Sequence, residues 1–385
     1  MRPRYFFSSP AGDVPVSEKM MRRPFVLRPL ENHPFLSLGD FFHAARDFLW
    51  QENGERLFPP TNGAKDPDRR MSEIQQLIIR YEKYGALYQI VSAEALSEDS
   101  KRKYAVIAAL SSEAKETLER ECDLLDRLNK RYAYPLIPQI YFKGKVVSGH
   151  SGKTEIIDMA LSNWFEGYHE WHFSGDKNNA ETISIWNMER GFQSATTDVI
   201  RDIIRQASKI LTLYYDPVTN HQIHPWHHGA GDFVVKVDED GVDVRLISVR
   251  GYDSTVSPLK GRITDPLESI LFFFLNMTVR MRIDKFDGMG DPVWAGPFIL
   301  PAVLSGFLEG LRQKEDEGRT DSHTVEKMHP YLKGISRKAL HEQLVRQIEM
   351  YRKTDPVDFS CMHKHIEAHA DELYHAFEEN PVTEI

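Results

Sequence analysis

Cysteine is nearly missing: the 385 residues contain two, Cys122 and Cys361. So sparse a supply excludes a disulfide-stapled scaffold and a zinc site built from several thiolates, and it predicts a reducing, cytoplasmic setting. No apolar run approaches the roughly twenty residues that a bilayer span requires. The greasiest stretch, Ile270 to Val279, lies between Glu268 and Arg280 and predicts a buried helix. Met1 to Phe7 carries arginines but no apolar segment behind them, because Ser8, Ser9, Pro10, Gly12 and Asp13 follow; no secretory leader is expected. An excess of positive charge is missing too. Lys and Arg number 48 against 57 Asp and Glu, a net charge of −9, which argues against a surface made for nucleic acid or an anionic membrane. No internal repeat and no long low-complexity run occurs.

What remains is globular composition, 41% hydrophobic and 27% charged, in a chain long enough for two to three domains or one bilobal unit at roughly 150 residues per domain. Residues 1–30 mix Pro, Arg, Ser and aromatics without period and predict an arm that packs on something or is partly ordered, with no fold of its own. Leu38, Phe41, Phe42, Ala45, Phe48 and Leu49 recur at helical spacing, and Pro59-Pro60 with Asn62-Gly63 closes that unit. Met71 to Tyr81 predicts a second helix through Ile74, Leu77 and Ile78. A β-hairpin is expected between Tyr84 and Leu110, then a helix capped by Ser111 or Ser112 and ending near Arg131, then strands at Gln139–Lys145 and Glu155–Leu161. After Asn163 the texture turns helical. Residues 195–215 predict a strong helix, and Phe233–Val237 with Val242–Val249 predicts a hairpin reversing at Asp238-Glu-Asp-Gly. From Asp265 onward helices are expected at 265–283, 294–315, 336–353 and 360–378.

The richest segment chemically is His221-Gln-Ile-His-Pro-Trp-His-His-Gly-Ala-Gly-Asp-Phe-Val-Val, a polar loop between the long helix and the hairpin. It resembles the catalytic loop of the aminoglycoside phosphotransferase and choline kinase-like branch of the protein-kinase-like fold. Pro225-Trp226-His227 falls on that branch's His-x-Asp triplet, and Asp232 on its magnesium-binding Asn. The resemblance covers about residues 80–315 in element order and implies an α+β, bilobal fold with a small β-rich lobe and a helical lobe. On that frame residues 1–80 are an arm and helical extension, 81–162 the β-rich lobe, 163–320 the helical lobe, and 321–385 an extra helical tail. It also implies Mg-ATP as cofactor, a small-molecule or nucleotide ligand, His227 and Asp232 as catalytic residues, and Glu121 on the small lobe's helix.

The departures from that family are equally specific. Ala108 stands where the phosphate-binding lysine belongs, Ser248 replaces the second magnesium carboxylate, and Gly85 is the lone glycine of the phosphate loop. Weak or absent Mg-ATP hydrolysis is therefore expected, because positioning and charge neutralisation carry phosphoryl transfer. Arg250 and Asp253 follow Ser248 closely. Arg250 would place a fixed positive charge where magnesium sits, or else pair with a surface carboxylate. His227 and Asp232 are expected to line the interlobe cleft.

Two function classes follow. One is a divergent small-molecule phosphotransferase or a nucleotide- or anion-binding pseudoenzyme. The other is a histidine-rich metalloprotein using the interlobe cleft, with Asp232, His224 and His228 as transition-metal ligands and His169-Glu-Trp-His172 nearby; the plainer alternative is that several of these side chains hydrogen-bond a buried turn beside Trp226 and Trp171. His365 and His369 lie one turn apart in the tail, where polarity favours a solvated helix face. Asp284 to Asp291 looks like a calcium loop, but Ile283 and Lys285 fall where oxygen ligands should be, so a tight helix-to-helix turn is expected.

Overall fold

The computed structural model describes residues 3–9, 11–28, 30–51, 74–85, 87–98, 100–176, 179–187, 191–228, 231–254, 265–285 and 291–379. The chain is a mixed α+β protein that divides into two compact units, Met1–Glu166 and Gly167–Ile385.

The first unit contains β1 (Arg4–Phe7), β2 (Val14–Pro15), α1 (Glu18–Met21), β3 (Pro24–Arg28), β4 (Glu31–Ser37), α2 (Leu38–Leu49), β5 (Gln76–Tyr84), β6 (Gln89–Leu96), β7 (Lys101–Ala109), α3 (Ser112–Tyr132), β8 (Ile140–His150) and β9 (Lys153–Asn163). Seven strands form one sheet in the order β2-β1-β5-β6-β7-β9-β8. Successive side chains of a strand point to opposite faces, and β7 shows the consequence. Tyr104, Val106 and Ala108 join the core with α2, while Ile107 and Ala109 meet Leu118 and Cys122 of α3. Helix α2 begins at a capping box in which Ser37 and Asp40 satisfy each other's backbone amides.

Two expectations fail in this unit. Residues 1–30 are not an arm without fold: β1 pairs in parallel with β5, Tyr5 packs on Phe42 at 5.0 Å and Phe25 stacks on Phe41 at 4.3 Å. Their partners lie far along the chain, so no local period announces them. The helix over Met71 to Tyr81 is instead β5 from Gln76 onward. Leu77 and Ile78 fit a helical stripe, but Leu77 and Ile79 are buried in the α2 core and Tyr81 packs against it, and β1 and β6 supply the backbone hydrogen bonds. Pro59-Pro60, Asn62-Gly63 and 71–73 lie outside the described residues.

The second unit runs β10 (His169–Asp176), β11 (Asn179–Asn187), β12 (Gly191–Ser194), α4 (Thr197–Tyr214), β13 (His221–Ile223), β14 (Phe233–Asp238), β15 (Gly241–Leu246), β16 (Tyr252–Ser254), α5 (Pro266–Arg280), β17 (Ile283–Lys285), β18 (Pro292–Trp294), α6 (Leu300–Asp316), α7 (Thr324–Gly334), α8 (Arg337–Ile348), α9 (Tyr351–Thr354) and α10 (Pro356–Glu379). Its main sheet has the order β12-β11-β10-β14-β15. The chain after Asn163 is thus a three-stranded meander before it is helical, with Trp171, His172, Phe173 and Ser174 of β10 buried on both faces. The segment around Asp284 leads into a β17–β18 pairing rather than a helix-to-helix turn; 286–290 lie outside the described residues. Helix α7 was not anticipated. Helix α6 crosses α4 closely because it carries glycine there: a Cβ on Gly306 would lie 1.9 Å from the Arg205 carbonyl oxygen.

Candidate functional site

The candidate loop leaves α4, forms β13, and is closed by β16, which returns antiparallel with Ile223 opposite Tyr252. Gly251 permits this closure. Its carbonyl accepts from the His224 amide at 3.1 Å, and a Cβ on Gly251 would sit 2.4 Å from the His224 oxygen. At the loop's far end the Asp232 carbonyl accepts from the Ile247 amide at 2.7 Å, tying the loop to the hairpin.

Asp232 is fully buried. Its Oδ2 accepts from the His227 amide at 2.8 Å and from Arg250 Nη1 at 2.6 Å. Its Oδ1 is also buried and has no hydrogen-bond partner among the described residues. Arg250 therefore pairs with a buried carboxylate, not a surface one. A buried carboxylate needs such compensation because its desolvation costs several kcal/mol.

The imidazole of His227 points elsewhere. Its Nε2 lies 3.0 Å from Asp358 Oδ2, at the start of α10. Arg280, at the end of α5, reaches the same oxygen at 2.9 Å, donates to the Trp226 carbonyl at 2.8 Å, and lies over the Tyr351 ring at 5.2 Å. Burial pushes the Asp358 carboxyl up, but the His227 hydrogen bond and the charges of His227 and Arg280 prevail and hold it at about 2. Its neighbour Asp355 moves the opposite way, raised by burial and by the charge of Asp358.

Other histidines near the loop and in the tail serve in packing. His224 Nε2 lies 3.2 Å from the Tyr351 hydroxyl, which donates to Asn276 Oδ1 at 2.6 Å, so His224 is the donor to Tyr351. Burial, then the charge of Arg280, lowers His224 to about 4. His228 is enclosed by Trp171 at 4.5 Å, Trp226 at 5.4 Å and Phe233 at 5.7 Å, and burial holds it well below the usual histidine range, with the charges of His227, His172 and Arg280 adding to the effect. His172 approaches Asp284 at 3.3 Å, and the other Asp284 oxygen accepts from the Phe173 amide. His369 is not on a solvated face: it is fully buried between Thr278 and Arg282, while His365 stacks on Trp294. Among the described residues no three His, Cys, Asp or Glu side chains are placed to hold a metal ion. His224, His228 and Asp232 accordingly do not assemble into the anticipated ligand set.

Of the other anticipated residues, Asp253 is exposed on β16, opposite Gln222, and Ser248 is half-buried beyond β15. In the first unit Ala108 and Glu121 are not brought together. Ala108 faces α2, while Glu121 accepts from the Tyr88 hydroxyl at 3.0 Å. The α3 face of β7 carries Lys101 and Lys103; Lys103 lies over the Trp164 ring at 4.3 Å and 3.9 Å from Glu82. Sequence reading missed Asp358, Arg280 and Tyr351. Arg280 alone carried a signal, a charge at the end of the apolar Ile270–Val279 run; Asp358 lies 126 positions after Asp232 in a helix whose pattern marks nothing. Chemically the loop is a connected run of polar groups, Arg250, Asp232, His227, Asp358 and Arg280, in which each carboxylate is claimed by an arginine. No protein-family model matches the sequence, and no curated protein matches it.

Proposed function

We propose that the chain is a divergent kinase-like protein of the aminoglycoside phosphotransferase and choline kinase-like kind, working as an anion- or nucleotide-binding pseudoenzyme and not as a magnesium-dependent phosphotransferase. The fold part of this reading draws support from each unit by itself. Strands β5 to β9 stand in the spatial order first, second, third, fifth, fourth, with α3 between the third and fourth in sequence. In the second unit a long helix, a loop closed by the β13–β16 pairing, a hairpin and a helical tail follow in the order of the family's catalytic half.

The observation that carries the functional part is the Arg250 guanidinium 2.6 Å from Asp232. A fixed cation stands against the carboxylate that would hold magnesium, Ser248 supplies no second carboxylate, and Ala108 supplies no lysine. These residues do not fit Mg-ATP. The α3-side face of β5, β6 and β7 is also charged, with Arg80 and Lys101 paired to Glu94 and Lys103 facing Glu82, where an adenine would need an apolar roof. A transition-metal centre draws no ligand set from the described residues.

Phosphate release from Mg-ATP, with and without a panel of sugar, choline and aminoglycoside acceptors, tests the reading. Rates equal to those of Asp232→Asn are expected. Acceptor-dependent turnover that Asp232→Asn abolishes would sink it.

A further inference from the structure

We propose that His227 and Arg280 form a carboxylate-binding site whose resident ligand is the chain's own Asp358, so that the start of α10 seats on the loop as an internal ligand. The inference goes beyond the preceding reading, and it stands on the geometry of the second unit alone.

The two donors are held by groups other than Asp358. Arg280 is only 4% exposed; its second nitrogen donates to the Trp226 carbonyl at 2.8 Å, and its guanidinium lies over the Tyr351 ring. The main chain of His227 is fastened at 2.8 Å to Asp232, which Arg250 holds in turn. A cradle fixed from behind persists when its ligand is taken away, and a buried guanidinium left without an anion is costly. Into this cradle Asp358 delivers one oxygen, 3.0 Å from His227 Nε2 and 2.9 Å from Arg280 Nη1. The Arg280 contact is a charge-assisted bond, the strong kind for a carboxylate; His227 Nε2 closes the other side of the site at contact distance.

The other acid facing the site is Asp355. It lies 3.8 Å from Arg280 and is 39% exposed, and its Oδ1 accepts from the Asp358 amide at 3.3 Å. It caps α10 and does not fill the cradle. Tyr351, also on this segment, meets His224, so residues 351–358 bind the loop at two points. A carboxylate arriving from outside must displace the first turn of α10.

Chemical rescue tests this. Asp358→Ala removes the carboxylate and leaves a space the size of formate. The thermal midpoint of this variant is measured in 100 mM sodium formate, in 100 mM sodium phosphate and in sodium chloride of matched ionic strength. Asp358→Ala is expected to melt below the parent and to regain about 2–4 °C in formate over chloride, as mass action predicts for a ligand present at several times its Kd. The parent and Asp358→Asn, whose sites are filled, gain nothing. A gain in phosphate as large as that in formate replaces the carboxylate assignment with a general anion site and counts against the proposal. Equal midpoints of Asp358→Ala in formate and chloride, or an equal gain in the parent, overturn it. Should Asp358→Ala fail to fold in chloride, a cooperative transition recovered only in formate is the same supporting result. Failure in both salts, with Asp358→Ser also indifferent to formate, overturns the proposal independently of any result on ATP.

Discussion

His228 shows what a single side chain imposes. It is fully buried among four aromatic rings, with neither ring nitrogen hydrogen-bonded among the described residues. Its folded form must be neutral, and the same holds for His369 and for His224, which titrates at about 4. The unfolded chain binds a proton at each of these near pH 6.5, so it binds more protons than the fold below that value. Stability is therefore complete above pH 6.5 and falls as the pH drops from there toward 4; His224 alone accounts for on the order of 3 kcal/mol across that window. Asp358, held at about 2, acts in a separate window, losing its contribution only below the ordinary carboxylate range. Replacing His228 by Phe keeps a ring in the aromatic cluster and removes one proton acceptor. The drop in thermal midpoint between pH 7 and pH 5 is expected to shrink by about 4–8 °C. Identical pH profiles for the two proteins would show that His228 is not a titrating element of stability.

At the scale of elements, the close crossing of α4 and α6 depends on glycine. Gly306→Ala places a Cβ 1.9 Å from the backbone oxygen of Arg205, and Gly310 meets Thr212 on the next turn. The obstacle at Gly306 is backbone, which cannot rotate away, so the helices must separate. A loss of at least about 1–3 kcal/mol is expected, read as a lower denaturant midpoint at an unchanged slope. An unaltered midpoint would mean that the two helices tolerate a wider spacing. Elements also mark how far the sequence is legible. Helices α2, α3 and α4 declare themselves through apolar spacing, α3 also through its Ser cap, and the β14–β15 hairpin through Asp238-Glu-Asp-Gly. The β1–β5 pairing does not, because Arg4 and Ile78 lie 74 residues apart, and the Ile74, Leu77, Ile78 spacing leading into β5 also fits a helix. In the loop, the sequence marked His227, Asp232 and Arg250 by local pattern. It left out Arg280 and Asp358, which meet each other and His227 from elements that only tertiary packing brings together; the buried-turn alternative for the loop histidines fits His228 between Trp171 and Trp226, whereas His369, expected on a solvated face, is buried.

Over the whole molecule, the charged side chains of the loop satisfy one another. Arg250 answers Asp232, and Arg280 with His227 answers Asp358. Coulomb attraction is strongest where water is excluded, so a divalent cation entering at Asp232 must first expel a guanidinium already in contact. The central claim is that Arg250 has taken the place of the metal. Calorimetric titration of ADP into the parent, with and without 5 mM magnesium chloride and repeated on Arg250→Ala and Asp232→Asn, tests it most directly. The account predicts that magnesium leaves the parent's binding heats unchanged. Tight nucleotide binding that requires magnesium, survives Arg250→Ala and disappears in Asp232→Asn would contradict it.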